Sequence, residues 1–249
     1  YIMSKKDLKK RDLKIYPLKT KDKINKERYK TLHPHLPKPN FRLCLNCYSG
    51  FGKDVIVSNL LLRSDMLDLG NPKKPYIDFF VLISPTAYND PSQEVLAEIA
   101  DLVYTEFDPK IITNLIKISK ENDDENEEDD EPFQILVYLN DLLNDKKLSR
   151  AIDKLIVKAR HHNINLIMSF QSLRNRTNSP IVRSNITHLI CSRCTNTKQY
   201  KMIEEEYNGL YQGKFKEIYN KSTHNDRYDF MFLDLKNQRA FKCFDEQLF

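Results

Sequence analysis

The chain of 249 residues is long enough for one large domain or two small ones, and its hydrophobic content of 40% is that of a globular protein with a buried core. No apolar run approaches the roughly 18–20 residues of a membrane-spanning helix, and the first residues, YIMSKKDLKKRD, lack the apolar stretch of a secretory signal. These properties exclude a helical membrane protein, and we expect an intracellular protein with no membrane partner.

The formal net charge of +5 hides an uneven distribution. Residues 121–131, ENDDENEEDDE, are almost all acidic, which is typical of a solvated, disordered loop. Without this segment the rest of the chain carries roughly +14, which favours a polyanionic partner such as nucleic acid. A general bias towards lysine explains the charge equally well, so charge alone leaves both interpretations open.

The chain begins with a predicted basic N-terminal arm, residues 1–31, followed by a single predicted domain over 32–249. The prolines of HPHLPKPNF, residues 33–41, enforce an extended backbone that leads into a short apolar strand, FRLCLNC. After a Gly-Lys turn, apolar residues recur at near-helical spacing over Lys53–Arg63.

The middle of the chain alternates strands and helices. YIDFFVLIS at 76–84 is a predicted buried strand, and Pro91 stands at the expected first position of a helix. A second helix opens at Asp108-Pro109 and runs into the acidic loop. FQILVYL at 133–139 is the strongest strand pattern in the chain.

The last third continues the alternation. We predict a helix over Ser149–His161, strands at 164–170 and 187–192, and a helix over Thr197–Tyr207. The tail, YDFMFLDL and RAFKCF, predicts a β-hairpin that turns at Lys236–Gln238. Alternation on this scale predicts an α/β domain with a mostly parallel sheet flanked by helices, ending in the C-terminal β-hairpin.

Five cysteines are an odd number, which argues against a disulfide framework. They form two C-x-x-C pairs and one single residue: Cys44, Cys47, Cys191, Cys194 and Cys243. Four thiolates could hold zinc, but both pairs lie in strand-like apolar runs rather than on glycine-rich knuckles. Buried reduced thiols are the preferred interpretation, with a zinc site as the weaker alternative.

Three predicted strands end in polar residues suited to phosphate chemistry. The first ends in the Gly50-x-Gly52-Lys53 turn, the second in Asn140-Asp141, and the third at Gln171. Phosphates bind beyond the carboxyl ends of parallel strands, and the amides at a helix N-terminus attract anions. Each signal alone is weak, but three in this order predict a nucleotide site that binds ATP with Mg²⁺.

The segment NCYSGFGKD, residues 46–54, departs from the phosphate-loop pattern G-x-x-x-x-G-K-[ST] at two positions. Cys47 stands where the pattern has its first glycine, and Asp54 stands where it has a hydroxyl. The residues expected to contact the nucleotide are Ser49, Gly50, Phe51, Gly52, Lys53, Asp54 and Val55.

Four segments resemble the DNA-packaging ATPases of large double-stranded DNA viruses. They are HPHLPKPNFRLCLNCYSGFGKD, FFVLISPTAYNDPS, ILVYLNDLLNDKKLSRAIDKLIVKARHHNINLIMSFQSLR and PIVRSNITHLICSRCTN. That group includes the poxvirus-type packaging ATPase and its relatives in giant viruses, virophages and Polinton-like elements, within the FtsK/HerA superfamily of P-loop NTPases. The resemblance covers about residues 32–207.

The resemblance implies a ring motor, a homo-oligomer of six or five subunits that passes double-stranded DNA through a basic channel into a capsid. Its partners would be DNA and a capsid or portal-vertex protein, in the host cytoplasm or a viral factory, or in association with the virion.

The resemblance also implies residue roles. Lys53 would reach the β- and γ-phosphates, and Asp54, Asn140 and Asp141 would take the magnesium positions. Asp141 would also position water, and Gln171 would sense the γ-phosphate. An arginine acting on the neighbouring subunit would be Arg183 or Arg193.

The departures leave two readings of the site open. Asp54 places a carboxylate beside the phosphates, and Asn140 removes a magnesium-binding charge, so the charge lost at 140 reappears at 54. The chain is then an active ATPase with a displaced metal ligand, or a catalytically impaired DNA-binding or structural subunit that keeps the fold. A small-molecule kinase on the same scaffold is a weaker third possibility, since the fold alone assigns no substrate.

Overall fold

Apolar strands and amphipathic helices assemble into a single mixed sheet in the computed structural model, which describes residues 29–69, 71, 76–125, 132–141, 146–170 and 178–249. Within these ranges the strands are β1 (Arg42–Asn46), β2 (Phe79–Ile83), β3 (Leu102–Tyr104), β4 (Ile135–Leu139), β5 (Ile164–Phe170), β6 (His188–Cys191), β7 (Met231–Asp234), β8 (Arg239–Lys242) and β9 (Glu246–Gln247).

Helices follow most of the strands. They are α1 (Lys53–Leu62), α2 (Pro91–Ile99), α3 (Pro109–Glu125), α4 (Lys146–Ala159), α5 (Pro180–Asn185), α6 (Thr197–Tyr207) and α7 (Phe215–Thr223). Helices α2, α5 and α6 have side-chain N-caps. Each cap accepts a hydrogen bond from an amide in the first turn, and the capping residues are Asp90, Ser179 and Asn196. In α2 and α5 a proline at the first helical position reinforces the start.

The sheet order is β3-β2-β4-β5-β1-β6-β7-β8-β9, in which the first six strands run parallel and the last three are antiparallel. Strand β5 therefore lies between β1 and β4. Because the three run in the same direction, the chain leaves all of them at one edge of the sheet. We call this the carboxyl edge, and the opposite one, where β1 and β6 begin, the amino edge.

The sheet is buried on both faces, as expected for parallel strands covered by helices. Alternate residues of β4 enter different cores, since Val137 packs with α3, α4 and α6, whereas Tyr138 packs with α1 and α2. Phe51 and the aromatic residues of β7 and β8 belong to the same core as Tyr138. None of the helices within the described ranges combines the length and apolar character needed to cross a membrane.

The predicted α/β fold with its C-terminal hairpin is confirmed, and the hairpin pairs β7 with β8. Strand β3 and helices α5 and α7 were not predicted. Helix α3 extends to Glu125, so the first five residues of the predicted acidic loop are helical, and residues 126–131 lie outside the described ranges. Tyr29 is 5% exposed and packs in the core with Leu32, so the packed domain begins inside the segment predicted as an arm.

Candidate functional site

The turn after β1 is shaped by two glycines and anchored by an aromatic side chain. Gly50 has φ 77° and Gly52 has φ 93°, both in the left-handed region that favours glycine. Between them Phe51 is 2% exposed and packs against Tyr48 and Tyr228, with ring centroids 5.3 and 6.3 Å away. Phe51 thus fixes the turn to the core, while Ser49 and Gly50 on its outer side are exposed.

Helix α1 begins at this turn without a capping side chain. Its N-cap is Gly52, which offers no side-chain oxygen, in contrast to the capped helices α2, α5 and α6. The first amides of an α-helix have no partner within the helix and carry the positive end of its dipole. The start of α1, with Lys53 as its first residue, therefore suits an anionic ligand.

Cys47 occupies the place of the first glycine of the phosphate-loop pattern without backbone strain. Its φ is not positive, its side chain is 1% exposed in the core, and its amide donates to the Phe170 carbonyl of β5 at 3.2 Å. Burial raises the pKa of its thiol to about 12. The backbone at this position does not require glycine, so this departure does not distort the turn.

Lys53 and Asp141 meet at the carboxyl edge. The Lys53 amine lies 2.8 and 3.0 Å from the two carboxylate oxygens of Asp141, which follows β4. The Lys53 side chain is 6% exposed and that of Asp141 is 34% exposed. Asp141 has φ 42°, a left-handed conformation that Asp tolerates better than most residues. The sheet thus brings together two of the three polar strand ends that the sequence singled out.

Asp54, which stands in the place of a hydroxyl, is held by two donors. Its Oδ1 accepts from Nε2 of Gln93 in α2 at 2.5 Å and from the Tyr138 hydroxyl of β4 at 2.9 Å. Burial raises the pKa of the Asp54 carboxyl, while the Tyr138 hydrogen bond and the Lys53 charge oppose this shift. Gln93 and Tyr138 are both fully buried, so the carboxylate is oriented by rigid neighbours.

The Tyr138 hydroxyl connects Asp54 to the second departure, Asn140. It lies 3.1 Å from Oδ1 of Asn140 and 3.1 Å from the Ser169 hydroxyl of β5. A phenol has one hydrogen to donate, and the charged Asp54 is the strongest acceptor within reach. Asn140 is 1% exposed, and its amide group donates to the Ser84 hydroxyl at 3.4 Å. Positions 54 and 140 therefore contact the same side-chain oxygen.

Sequence reasoning missed Tyr138, Gln93, Ser84 and Ser169. One signal could have found Tyr138, since it lies two residues before Asn140 on a strand and so shares its face. Nothing in the sequence pairs Gln93 with Asp54, because they lie on different helices.

The oxygen donors present suit Mg²⁺, which binds through one or two carboxylates together with phosphate and water. Asp54 and Asp141 supply the carboxylates, whereas Asn140 is enclosed by protein. Within the described ranges no three His, Cys, Asp or Glu side chains are grouped to hold a metal ion. All five thiols are free, and three of them, Cys44, Cys47 and Cys191, are buried.

The two candidate arginines occupy different surroundings. Arg193 is exposed and lies two residues after the end of β6 at the carboxyl edge, where the neighbouring Ser192 hydroxyl accepts from the Tyr48 amide at 3.4 Å. Arg183 lies on α5, 3.3 Å from Glu206 and 2.8 Å from the Asn178 carbonyl oxygen. Gln171 lies outside the described residues, so its predicted place beside Asp141 stays a prediction.

Solved structures share this fold. The genome packaging NTPase B204 from Sulfolobus turreted icosahedral virus 2, in complex with AMP, matches with a TM-score of 0.59 and 16% identity over 83% of this chain and 98% of that chain. Its complex with ATP-gammaS gives 0.57 and 15% over the same shares. The pCW3 conjugation coupling protein TcpA, in a monomer form with ATPgS, gives 0.52 and 15% over 77% of this chain and 56% of that chain.

At these identities the structural similarity establishes the P-loop ATPase fold. A comparison with curated proteins gives no match. The sequence model of the poxvirus A32 protein family matches residues 28–208, which include all six parallel strands of the sheet. The chain therefore belongs to the poxvirus A32 protein family.

Proposed function

We propose that this protein is an ATP-driven motor subunit that packages double-stranded viral DNA into a capsid. The observation that carries the proposal is the contact of Lys53 with Asp141 beside the uncapped start of α1. Membership of the A32 family and the fold shared with a genome packaging NTPase support it. That NTPase has been solved with AMP and with ATP-gammaS, which supports nucleotide binding by this chain.

Different residues at the carboxyl edge are assigned to the phosphates, to magnesium and to water. The amides that follow Gly50 and Gly52 and the Lys53 amine hold the phosphates, and the exposed Val55 borders the cradle. Asp54 and Asp141 would hold magnesium, which supplies positive charge to the phosphate oxygens when bound. Asp141 would also accept a hydrogen bond from the attacking water, and the role assigned to Gln171 is to sense the γ-phosphate.

The shared Tyr138 hydroxyl favours an active site over a decayed one. A carboxylate has been lost at 140 and gained at 54, and both side chains contact the same buried oxygen. Relative to the phosphate-loop ATPase pattern, the negative charge therefore stays beside the Tyr138 hydroxyl, although it moves from the end of β4 to the start of α1. Gln93 and Tyr138 hold Asp54 in one orientation, which is what a metal ligand requires.

The assembly follows from the same function. We infer a homo-oligomeric ring of six or five subunits, with Arg193 as the preferred arginine acting on the neighbouring nucleotide, because it is exposed at the carboxyl edge. Double-stranded DNA passes through the ring, and a capsid or portal-vertex protein receives it. The place of action is the host cytoplasm, a viral factory or the virion.

Calorimetry of ATP binding with and without Mg²⁺ tests the proposal. Lys53→Ala should weaken binding by about 100-fold or more, because a desolvated charge contact to phosphate is removed. The matched control is Lys201→Ala, an exposed lysine on α6. Asp54→Asn should weaken binding only when Mg²⁺ is present and should lower DNA-stimulated phosphate release.

Equal ATP binding by the wild-type, Lys53→Ala and Lys201→Ala proteins would contradict the nucleotide site. A wild-type protein that binds ATP without turnover, and gains turnover in the Asp54→Thr/Asn140→Asp variant, would instead establish the catalytically impaired alternative.

A further inference from the structure

A cavity with several polar residues lies at the amino edge, at the opposite end of the parallel strands from the nucleotide turn. We call it the amino-edge pocket, and its volume is about 710 Å³. Its walls come from the starts of β1, β6 and β8, the end of β7, the segment before β1 and the end of the α4 region. Nothing in the proposed nucleotide chemistry uses it.

Positive charge dominates this pocket. It is lined by five cationic side chains and a single carboxylate, Asp234; the cations are Lys38, Arg42, Arg160, Lys236 and Arg239. Asp234 is already neutralised, because its Oδ2 lies 2.7 Å from a terminal nitrogen of Arg239 and 2.7 Å from the Asn237 side-chain amide. Four cations therefore remain without a carboxylate among the pocket residues.

These four cations find no ion pair elsewhere in the described part of the chain. Arg42 donates from Nε to the Asn185 carbonyl oxygen at 2.5 Å, which orients its guanidinium. Burial lowers the pKa of Arg42, and the charge of Arg160 lowers it further. Two guanidinium groups that repel each other across a cavity lower the stability of the fold unless an anion joins them.

Half of the neutral residues that line the pocket are polar. Thr187 and Asn237 line it, and His188 is buried beside them against Phe232, with rings 5.6 Å apart and nearly parallel. Arginine and lysine together with hydroxyl and amide groups are the side chains that bind phosphate oxygens in proteins. Lys38, Arg160 and Lys236 line the pocket and are exposed, so a phosphate chain can contact them from solvent.

We propose that the amino-edge pocket binds the phosphodiester backbone of DNA. The proposal rests on the proposed function, since it assigns the DNA contact to named residues, and it adds a site separate from the nucleotide turn. The five-residue strand β1 separates the two sites, a length of about 15 Å, so DNA and ATP can be bound together. Free phosphate compounds share the same chemistry and are the alternative source of the ligand.

Fluorescence anisotropy of a labelled 20-base-pair duplex, measured at increasing salt, tests the pocket. The variant is Arg160→Gln/Lys236→Gln, in which both side chains are exposed and folding is not expected to change. The control is Lys198→Gln/Lys201→Gln, two exposed lysines on α6 that remove the same charge. We expect the pocket variant to bind DNA about 10-fold more weakly and to lower the salt slope by about 2, because each phosphate contact contributes about 0.9.

The outcomes separate the two proposals. Equal loss of DNA affinity in the pocket and control variants, or no DNA binding by the wild-type protein at low salt, would overturn the pocket as a DNA site. The Lys53→Ala protein is also titrated with inorganic tripolyphosphate. The triple variant Lys53→Ala/Arg160→Gln/Lys236→Gln is titrated in the same way. If it no longer binds tripolyphosphate while the pocket variant keeps its DNA affinity, the pocket is a site for free phosphates instead. The pocket variant should bind ATP as the wild-type does, so the nucleotide site is judged independently by Lys53→Ala.

Discussion

The two edges of this sheet handle charge in opposite ways. At the carboxyl edge Lys53 contacts Asp141, and the Asp54 carboxylate accepts hydrogen bonds from Gln93 and Tyr138. At the amino edge four cations face a pocket whose one carboxylate is already bound to Arg239. At the carboxyl edge the charged side chains thus have partners within the chain. At the amino edge the cations require an anionic partner from outside it. Removing Lys53 should lower stability at the first edge, whereas removing one of the four unpaired cations should raise it at the second.

The largest expected effect concerns His188, at the amino edge. Burial lowers the pKa of His188 to about 4; nearby Asp234 opposes the shift, while Arg239, Arg42 and Lys236 add to it. The unfolded chain takes up this proton near pH 6.5, before the folded protein does. The stability that neutral His188 contributes is thus complete above pH 6.5 and is lost as the pH falls towards 4, by about 3 kcal/mol.

Urea unfolding between pH 7 and pH 4 measures this loss. The His188→Gln variant removes the titrating group, so its stability should fall about 3 kcal/mol less over the same range. An identical pH dependence in the two proteins would show that the buried environment of His188 does not oppose its protonation.

The next effect concerns Tyr138 at the carboxyl edge. Tyr138→Phe removes the hydroxyl that Asp54, Asn140 and Ser169 share in a fully buried place. We expect a loss of about 2 kcal/mol in the free energy of unfolding, because a partly buried carboxylate loses a donor.

Tyr211→Phe is the matched control, since that hydroxyl donates to an uncharged acceptor, the Arg239 carbonyl oxygen, at 3.3 Å, and its loss should cost about 0.5 kcal/mol. Chemical unfolding of both variants, and of each combined with Asp54→Thr, gives the coupling of Tyr138 to Asp54. Additive effects of Tyr138→Phe and Asp54→Thr would contradict the shared hydrogen bond.

The smallest expected effects come from a Lys→Gln substitution made once at each edge. Lys53→Gln leaves Asp141 without its partner and should lower the free energy of unfolding by about 1–2 kcal/mol. Lys236→Gln removes one of several facing cations and should raise stability by less than about 0.5 kcal/mol. Differential scanning calorimetry at low salt measures both, and shifts of the same sign would remove the contrast between the edges.

Much of the fold was predictable because its strands and helices carry strong local patterns. The apolar runs of β1, β4 and β5 and the Gly-Lys turn are enough to predict that Lys53 and Asp141 lie at one edge of the sheet, where the structure has them in contact. Strand β3 was not predicted because it has only three residues, which are too few to show the alternation of a strand. Helix α5 was missed although Ser179 and Pro180 mark its start, because its six residues carry one buried side chain.

The environment of the site was less predictable, since it depends on contacts between distant segments. The sequence showed that Asp54 and Asn140 depart from a familiar pattern, but only packing shows that Tyr138 contacts both. The amino-edge pocket joins Lys38, Arg160 and Lys236 from three separate parts of the chain. Their convergence depends on the order of strands in the sheet, and periodicity does not encode that order.

Strand β7 gives the two edges a mechanical connection. Tyr228, just before this strand, packs against Phe51 in the nucleotide turn, and the strand then runs antiparallel to β6 and ends at Asp234 in the wall of the amino-edge pocket. Between these ends Phe232 is fully buried and stacks on His188. A close-packed strand transmits displacement along its length, so a tightening of the turn around phosphate would push on the wall that faces DNA. Strand β7 would then couple the nucleotide site to the proposed DNA site.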